Sequence, residues 1–347
     1  SGAGSANSSP TSSCKCCRWR ARTRSRAFGT VSLDGTKLHA NASRHSALSY
    51  GHAQKIEAQL KAEVQEMLKL AEAADQGNVP EGVDLPAEIK RREDRLAAIA
   101  TAKAKIEARA KERFEREQAE YEAKMAQRQA KQASTGKKPG GKPPKPPQTE
   151  PQAEDQINLT DEDSRIMKVA GGGFEQCYNA QAVVDTESML VVAPHITTAG
   201  NDKEQVAPML ECIQALPDGL NQPTRLLADT GFYSERNVQH CHDAGVEPLI
   251  AVGRDAHHPD WRSRFEEPAP LATPTSHVEQ MKHALKTQAG RAAYALRKQT
   301  VEPVFGIIKS VMGFRQFLLR GVGNVRNEWT LVCLAWNFKR MAALRLQ

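Results

Sequence analysis

The sequence contains few aromatic residues and no long apolar run. Aromatic side chains make up 5% of the 347 residues, whereas charged side chains make up 26%. A helix that crosses a membrane needs about 20 consecutive apolar residues, and no stretch of this kind is present. Glycine and proline recur without a period, which excludes a collagen-like chain. These absences exclude an integral membrane protein and a fibrous protein, and they predict no membrane partner.

Cysteine is sparse and unevenly placed. Three of the seven cysteines lie together, at Cys14, Cys16 and Cys17, and the other four stand singly. This spacing is not that of a disulfide framework, so it predicts a reducing compartment such as the cytoplasm. No second cysteine or histidine pair follows the first three at zinc spacing, although a zinc site there remains an alternative. A zinc site in the His-Cys-His run at 240–242 is disfavoured, because adjacent helical residues point in different directions.

Acidic residues are fewer than basic ones. The chain carries 48 Lys and Arg against 41 Asp and Glu, a formal net charge of +7. A basic excess favours a polyanionic partner such as nucleic acid, but for a chain of this length the excess alone is weak support.

Changes in composition divide the chain into five segments. Residues 1–27 lack the apolar core of a secretory signal. Their Ser, Arg and Cys content predicts a disordered tail or a stretch translated in an aberrant frame. The predicted segments are this tail (1–27), a first strand (28–45), a helical hairpin insert (46–132), a basic Pro/Gly/Lys-rich linker (133–160) and the remainder of the globular domain (161–347).

The hairpin prediction rests on helical periodicity. Apolar residues recur at steps of three and four in residues 47–74 and again in residues 87–132. The sequence QGNVPEGVDLP between them is typical of a turn, and Pro86 suits a first helical turn. We expect an antiparallel pair, in the manner of a coiled coil. Its charged surface is either a solvated face or a DNA contact, and the lysines of the linker could follow phosphates.

The remaining pattern predicts an α/β fold with a mixed sheet. Strands are expected at 28–34, 179–185, 189–197, 225–229 and 247–253, and helices at 203–216, 234–245 and beyond 276. The second and third strands are joined by a turn over residues 185–188 and form an antiparallel hairpin. The later strands alternate with helices and therefore require parallel pairing.

Three carboxylates stand out by their positions. Asp34 is expected to close the first strand and Asp229 to close the RLLAD strand, at the edge where open α/β sheets bind ligands. Each could instead be a turn cap. Glu302 shares a helix face with Lys298 and Lys309, which could also be an ordinary ion pair four residues apart. Pro303 predicts that a helix begins near Val301 or kinks there.

Converging carboxylates suit hard divalent cations. Mg²⁺ and Mn²⁺ prefer oxygen ligands, and two ions about 3.5–4 Å apart can activate a hydroxyl and stabilise the leaving oxygen of a phosphodiester. Asp34, Asp229 and Glu302 would hold two such ions. Lys309, together with Lys298 or Arg297, would bind phosphate oxygens.

Several stretches resemble the Asp-Asp-Glu transposases of bacterial insertion sequences. They are SLDGTKLHANAS (32–43), GGGFEQCYNAQAVVD (171–185), LLADTGFYSERN (226–237), YALRKQTVEPVFGIIK (294–309) and GFRQFLLRGVGNVRNEWTLVCLAWNFKR (313–340). One branch of that family has a tyrosine, a basic residue, a glutamate and, after six intervening residues, a lysine. Tyr294, Glu302 and Lys309 match it, while Arg297 fits the spacing from the tyrosine and Lys298 the spacing to the glutamate.

The resemblance implies a ribonuclease-H-like fold and metal-dependent strand cleavage and strand transfer on double-stranded DNA. It implies Asp34, Asp229 and Glu302 as the catalytic triad, with Mg²⁺ or Mn²⁺ as the cofactor, two ions per site. Tyr294, Arg297, Lys298 and Lys309 are the expected DNA-binding residues, and Asn201, Asp202 are secondary candidates. It further implies a homo-oligomer acting in the bacterial cytoplasm at the nucleoid. Such transposases have an N-terminal DNA-binding region, so we expect a truncated copy.

Two alternatives remain open at this stage. An inactive remnant would bind DNA without metal-dependent cleavage. A metal-dependent nuclease of the same fold would cleave without depending on transposon ends.

Overall fold

The computed structural model describes residues 28–74, 84–136, 140–253, 262, 266–271 and 276–345. The expected tail (1–27) lies outside the described residues, as do most of the turn after residue 74 and much of the loop after residue 253. The chain forms two compact units, which divide after Ser43 and after Glu162. The sheet unit contains the described residues on either side of the hairpin unit, Arg44–Glu162.

The elements are numbered in chain order. The strands are β1 (Thr30–His39), β2 (Ala47–Ser49), β3 (Gln156–Asn158), β4 (Arg165–Lys168), β5 (Phe174–Asp185), β6 (Val191–Thr197), β7 (Arg225–Ala228) and β8 (Glu247–Ile250). The helices are α1 (Tyr50–Ala74), α2 (Leu85–Thr135), α3 (Val206–Gln214), α4 (Glu235–Asp243), α5 (His277–Ala284), α6 (Gln288–Ser310) and α7 (Val322–Arg345). None of the helices in the described ranges is long and apolar enough to span a bilayer.

The hairpin unit consists of two long helices and a short ribbon. Ion pairs join Glu63 to Arg92 and Glu57 to Lys103. The residue nearer the start of α1 pairs with the residue further along α2, so the two helices run antiparallel. Their apolar seam contains Leu60, Ile99 and Ile106, among others. Asp84 caps α2 by accepting a hydrogen bond from the Ala87 amide at 3.1 Å, with Pro86 in the first turn. The β2–β3 ribbon was not predicted, because three-residue strands carry too little pattern.

The sheet unit is built on a six-stranded mixed sheet. Its order is β4-β5-β1-β7-β8, and β6 pairs with β5 as well. The pairs of β5 with β1, β4 and β6 are antiparallel, whereas β1 with β7 and β7 with β8 are parallel. The predicted α/β class with a mixed sheet flanked by helices is therefore confirmed.

Alternation along β1 explains why helices cover both faces of the sheet. Val31 and Leu33 point to one face and pack with α3 and α4, while Leu38 points to the other and packs with α6 and α7. Trp329 of α7 is fully buried on this second face and donates its indole N–H to the Gln181 carbonyl at 3.0 Å. Two apolar layers thus hold the central strand, and they place its polar residues at the edge where β7 ends.

Candidate active site

Asp34 lies inside a strand rather than at its end. The expectation that it closes the first strand is wrong: β1 continues to His39, and Asp34 pairs with Ala182 of β5. Gly35 serves close packing rather than a turn, because a Cβ there would lie 2.2 Å from the Gln181 amide nitrogen. Long-range pairing with β5 extends the strand beyond what its own residues predict.

Asp229 lies at the same level as Asp34. In the parallel pairing of β1 with β7, Ser32 is opposite Leu227, and each aspartate follows two residues later. Neighbouring strands are about 4.8 Å apart, so the register brings the two carboxylates to one edge of the sheet. Asp229 Oδ1 also accepts a hydrogen bond from the Gly231 amide at 2.8 Å. The turn cap and the site position are thus properties of the same residue.

Glu302 lies within an uninterrupted helix. The alternative that a helix begins near Val301 is wrong, since α6 runs from Gln288 to Ser310 with Pro303 inside it. The Glu302 side chain is 48% exposed, and its Oε1 lies 3.0 Å from Arg297 Nη2. Val304 and Ile308 of the same helix are buried, whereas Val311, just beyond its end, is exposed.

Arg297 connects the helix to the strand. Its Nη1 lies 3.3 Å from Asp34 Oδ2, and its side chain is only 11% exposed. Lys298, the other candidate for the basic position, is exposed on α6. The structure therefore brings Arg297, rather than Lys298, between the first and third predicted carboxylates.

Lys309 and Tyr294 occupy opposite parts of α6. Lys309 Nζ donates hydrogen bonds to Thr36 Oγ1 and, at 3.3 Å, to the Lys37 carbonyl. Burial lowers the pKa of Lys309, and the Asp34 charge opposes that shift. Tyr294 instead packs in an apolar cluster with Leu227 of β7. The Lys309 ammonium, a predicted DNA contact, therefore lies close enough to Asp34 to interact with its charge.

The electrostatics of the site centre on Asp34. Its pKa is raised to about 7, first because burial removes the carboxylate from water and further because Asp229 and Asp202 add negative charge. The Gly35 amide, which donates to Asp34 Oδ1 at 2.8 Å, and the Arg297 guanidinium oppose the shift. The Arg297 guanidinium therefore balances the negative charge of the carboxylates at this edge only in part.

Asp202, a secondary candidate, also lies at this edge. Its Oδ1 accepts hydrogen bonds from Asn179 Nδ2 at 2.7 Å and Gln181 Nε2 at 2.6 Å. The prediction missed these two amides. A signal was available, because they are alternate polar residues in residues 177–184 of β5, a stretch whose other residues are apolar. Asn201, the other secondary candidate, accepts a hydrogen bond from the exposed Lys203 amide at 3.3 Å.

Residue types at the edge fit a divalent cation. Carboxylate oxygens are the ligands that Mg²⁺ and Mn²⁺ prefer. Burial and the nearby Asp229 charge both disfavour the ionised form of Asp34, and a bound cation would stabilise that form. Within the described ranges, however, no group of three or more His, Cys, Asp or Glu side chains is arranged to hold an ion. Glu302 is engaged by Arg297. Asp34 Oδ2 is paired with the same guanidinium, so a cation held by Asp34, Asp229 and Glu302 would require Arg297 to move away from both of its partners.

The zinc alternative at 240–242 finds no support in the described residues. Burial raises the pKa of the Cys241 thiol to about 12, so the sulfur remains protonated. His242 stacks on His277 with ring centroids 3.5 Å apart. The corresponding alternative at Cys14, Cys16 and Cys17 lies outside the described residues.

Comparison with known proteins identifies the family. A family model described as "Transposase DDE domain" matches residues 147–338, more than half of the chain. The matched region contains Asp229, Arg297, Glu302 and Lys309, whereas Asp34 precedes it. No curated protein matches the chain, and no solved structure matches it. Because this match covers more than half of the chain, the chain belongs to the transposase DDE domain family.

Proposed function

We propose that this chain is a transposase catalytic domain that cleaves DNA strands at the ends of an insertion sequence and transfers them to a target. The observation that carries the proposal is the convergence of Asp34, Arg297 and Glu302, which lie 263 and 5 residues apart in sequence, at the edge where Asp229 follows its strand. Distant residues that form one acidic site beside half-buried Lys309 suit phosphodiester chemistry.

A ribonuclease-H-like fold is part of the proposal. The strand order supports it: an antiparallel hairpin of β5 and β6 lies beside β1, and the parallel strands β7 and β8 follow on the other side. The proposed segments remain a tail (1–27), a first strand (28–45), a hairpin insert (46–132), a linker (133–160) and the remaining catalytic domain (161–347). The branch with the Tyr/Arg/Glu/Lys signature is proposed on Tyr294, Arg297, Glu302 and Lys309.

The proposed cofactor is a pair of Mg²⁺ or Mn²⁺ ions. Bound ions would supply an activated hydroxyl and stabilise the leaving oxygen. Asp34 and Asp229 would hold them from adjacent strands, and Glu302 would join from α6. Because one glutamate oxygen now pairs with Arg297, a DNA phosphate that binds the guanidinium would free this carboxylate. Arg297 thus has two roles in the proposal: it neutralises the acidic edge before DNA binds and orients a phosphate afterwards.

The proposed partners are the two transposon ends and the target DNA, with a homo-oligomer that holds both ends. Lys309 is fixed to β1 by its hydrogen bonds to Thr36 and Lys37, so it offers a preorganised charge to a phosphate. Exposed Lys298 would contact the backbone further along the duplex, and Tyr294 would support α6 through its packing. The proposed location is the bacterial cytoplasm at the nucleoid.

The test is nicking of a supercoiled plasmid that carries the element's ends, with Mn²⁺ or Mg²⁺ present. We expect cleavage by the wild-type chain and none by Glu302→Gln, which keeps the side-chain size but removes the charge. Glu211→Gln is the matched control, because Glu211 is exposed on α3. It should cleave like the wild type.

Other outcomes separate the alternatives. DNA binding without cleavage by the wild type would indicate an inactive remnant, an interpretation that the Arg297-bound Glu302 also suits. Equal cleavage of plasmids with and without the ends would indicate a metal-dependent nuclease. Equal cleavage by wild type and Glu302→Gln would contradict the role of Glu302.

A further inference from the structure

Asp202 approaches the acidic edge from the face opposite α6. It precedes α3 and lies beside Gly35 and Lys37, which point away from the face that carries Asp34 and Thr36. A Cβ built on Gly35 would lie 2.6 Å from Asp202 Oδ1, and one built on Gly231 would lie 3.9 Å from Asp202 Oδ2. One oxygen of this carboxylate therefore faces the residue after Asp34, and the other faces the turn after Asp229.

Two buried amides hold Asp202 in this position. Asn179 and Gln181 are fully buried on β5, and both donate to the same oxygen, Asp202 Oδ1. Their own side-chain oxygens, Asn179 Oδ1 and Gln181 Oε1, are buried without a hydrogen-bond partner. Unpartnered buried oxygens cost free energy. Water bound to a cation at this edge would supply such oxygens with a donor.

Positive charge near Asp202 is limited. Lys37 Nζ lies 3.6 Å from Asp202 Oδ1 and pairs with it. Arg297 pairs with Asp34 and Glu302 on the other face, and Lys309 donates to Thr36. Against these stand four carboxylates, of which Asp202 and Asp229 both raise the pKa of Asp34.

The hydrogen bonds that hold Asp202 do not require its charge. Asn179 and Gln181 need only an acceptor oxygen, which an asparagine would also supply, whereas the ion pair with Lys37 uses the charge. A carboxylate placed beside two others instead raises the electrostatic free energy of the folded chain. The charge is useful where a divalent cation must be attracted and held.

We propose that Asp202 is a positioning residue of the acidic edge, which fixes the backbone at Gly35 through Gln181 and strengthens divalent-cation binding by Asp34 and Asp229. The inference rests on the proposed function, because it assumes that a divalent cation binds there. It adds a fourth carboxylate on the opposite face from Glu302. It also assigns Asn179 and Gln181 as the groups that orient this carboxylate.

The first test measures Mn²⁺ binding to the full chain by electron paramagnetic resonance of the free ion, without DNA. Asp202→Asn keeps an acceptor for the two amides and removes the charge, so we expect Mn²⁺ affinity to fall about tenfold or more, with the unfolding temperature kept. Glu328→Gln is the control, because Glu328 also accepts N–H hydrogen bonds, from the Leu318 and Leu319 amides. Its affinity should equal that of the wild type. Unchanged affinity in Asp202→Asn would overturn the inference.

A second pair of variants tests the position without altering any carboxylate. Gly35→Ala adds a Cβ that must displace Gln181 and Asp202, whereas the Cβ of Gly29→Ala meets nothing within 4 Å. We expect Gly35→Ala to weaken Mn²⁺ binding about as much as Asp202→Asn, and Gly29→Ala to leave it unchanged. Equal binding by both glycine variants would contradict the positioning role.

Mn²⁺ binding and plasmid nicking together separate the role of Asp202 from the metal-dependent function of the chain. A wild-type chain that nicks plasmid with Mn²⁺, while Asp202→Asn binds Mn²⁺ normally, would overturn only the role of Asp202. A wild-type chain that neither binds Mn²⁺ nor nicks plasmid would overturn the metal-dependent function and, with it, this inference.

Discussion

Carboxylates in the hairpin unit and in the sheet unit have opposite electrostatic surroundings. In the hairpin, hydrogen bonds from Lys103 and Lys61 lower the pKa of Glu57 to about 2, and Arg113 lowers the pKa of Asp155. In the sheet unit, burial raises the pKa of Asp34 to about 7. The same chemical group thus stabilises one unit in its charged form and destabilises the other.

This difference separates acids that stabilise the fold from acids that are candidates for catalysis. The hairpin pairs its acids at contact distance, as in the bidentate contact of Arg113 with Asp155 at 2.6 and 2.8 Å. At the sheet edge, Asp34 has a single guanidinium at 3.3 Å and two further acids nearby. Buried acids whose charge is incompletely balanced are typical of functional sites.

The largest expected effect comes from neutralising one carboxylate in each unit. Asp34→Asn should reduce plasmid cleavage about a thousandfold or more, because charge stabilisation of several kcal/mol is lost. Glu57→Gln in the hairpin should cleave within about twofold of the wild type, since its partners are hairpin lysines. Initial nicking rates at one Mn²⁺ concentration measure both. Similar losses in the two variants would contradict the contrast.

The pH dependence of stability should differ in sign between the units. The folded pKa of Asp34 lies above its unfolded value, so the protonated carboxyl favours folding. The contribution of Asp34 falls as pH rises from about 4 to about 7, by at most about 4 kcal/mol. The folded pKa of Glu57 lies below its unfolded value, so its contribution is complete above about pH 4.5 and is lost as pH falls towards 2.

Hydrogen exchange resolved by peptide measures the two units separately. Peptides of β1 and β7 should become better protected between pH 8 and pH 5, after correction for intrinsic exchange, and Asp34→Asn should remove this trend. Peptides of α1 should lose protection only below about pH 4. The same trend in both sets of peptides would show that Asp34 does not govern the sheet unit.

Removing one arginine from each unit gives a smaller effect. Arg297→Met leaves the Asp34 charge without its nearby guanidinium, so we expect a loss of about 1–3 kcal/mol in free energy of unfolding at pH 8. Arg113→Met removes a more exposed pair and should cost about 1 kcal/mol. Denaturant titration with the peptide-resolved readout separates the two. A larger loss for Arg113→Met would reverse the comparison.

The smallest effect is expected on the hairpin surface. Lys61 pairs with Glu57 four residues away, yet Glu57 keeps Lys103 when Lys61 is removed. Lys61→Ala should therefore change the free energy of unfolding by less than about 0.5 kcal/mol. A loss above about 1 kcal/mol would mean that the exposed pair matters more than its surroundings indicate.

Local periodicity accounts for what the sequence predicted well. The second helix was expected at 87–132 and spans Leu85–Thr135, because its apolar seam, Asp84 cap and Pro86 are all near in sequence. The strands that alternate with helices were also expected in their parallel arrangement, which follows from crossover connections. These features follow from patterns along single elements and from the order of the elements in the chain.

The sequence predicted the residue types of the site and their convergence, but not the register, helix rotation and contacts that arrange them. Asp34, Asp229 and Glu302 were expected to converge, yet Asp34 lies within β1 because β5 pairs along its whole length. The choice between Arg297 and Lys298 depends on which side of α6 faces the sheet. Asn179 and Gln181 belong to the site because their amides donate hydrogen bonds to Asp202, more than 20 residues away in sequence.

The sequence by itself determined the helical hairpin, the mixed sheet and the acidic residues, since each follows from local pattern or from chemical type. The tertiary structure alone decided that β1 continues past Asp34, that Arg297 stands between Asp34 and Glu302, and that Asp202 reaches the same edge from the opposite face. The physical reason is that register, helix rotation and close approach at Gly35 depend on packing between residues far apart in the chain, which no local pattern records.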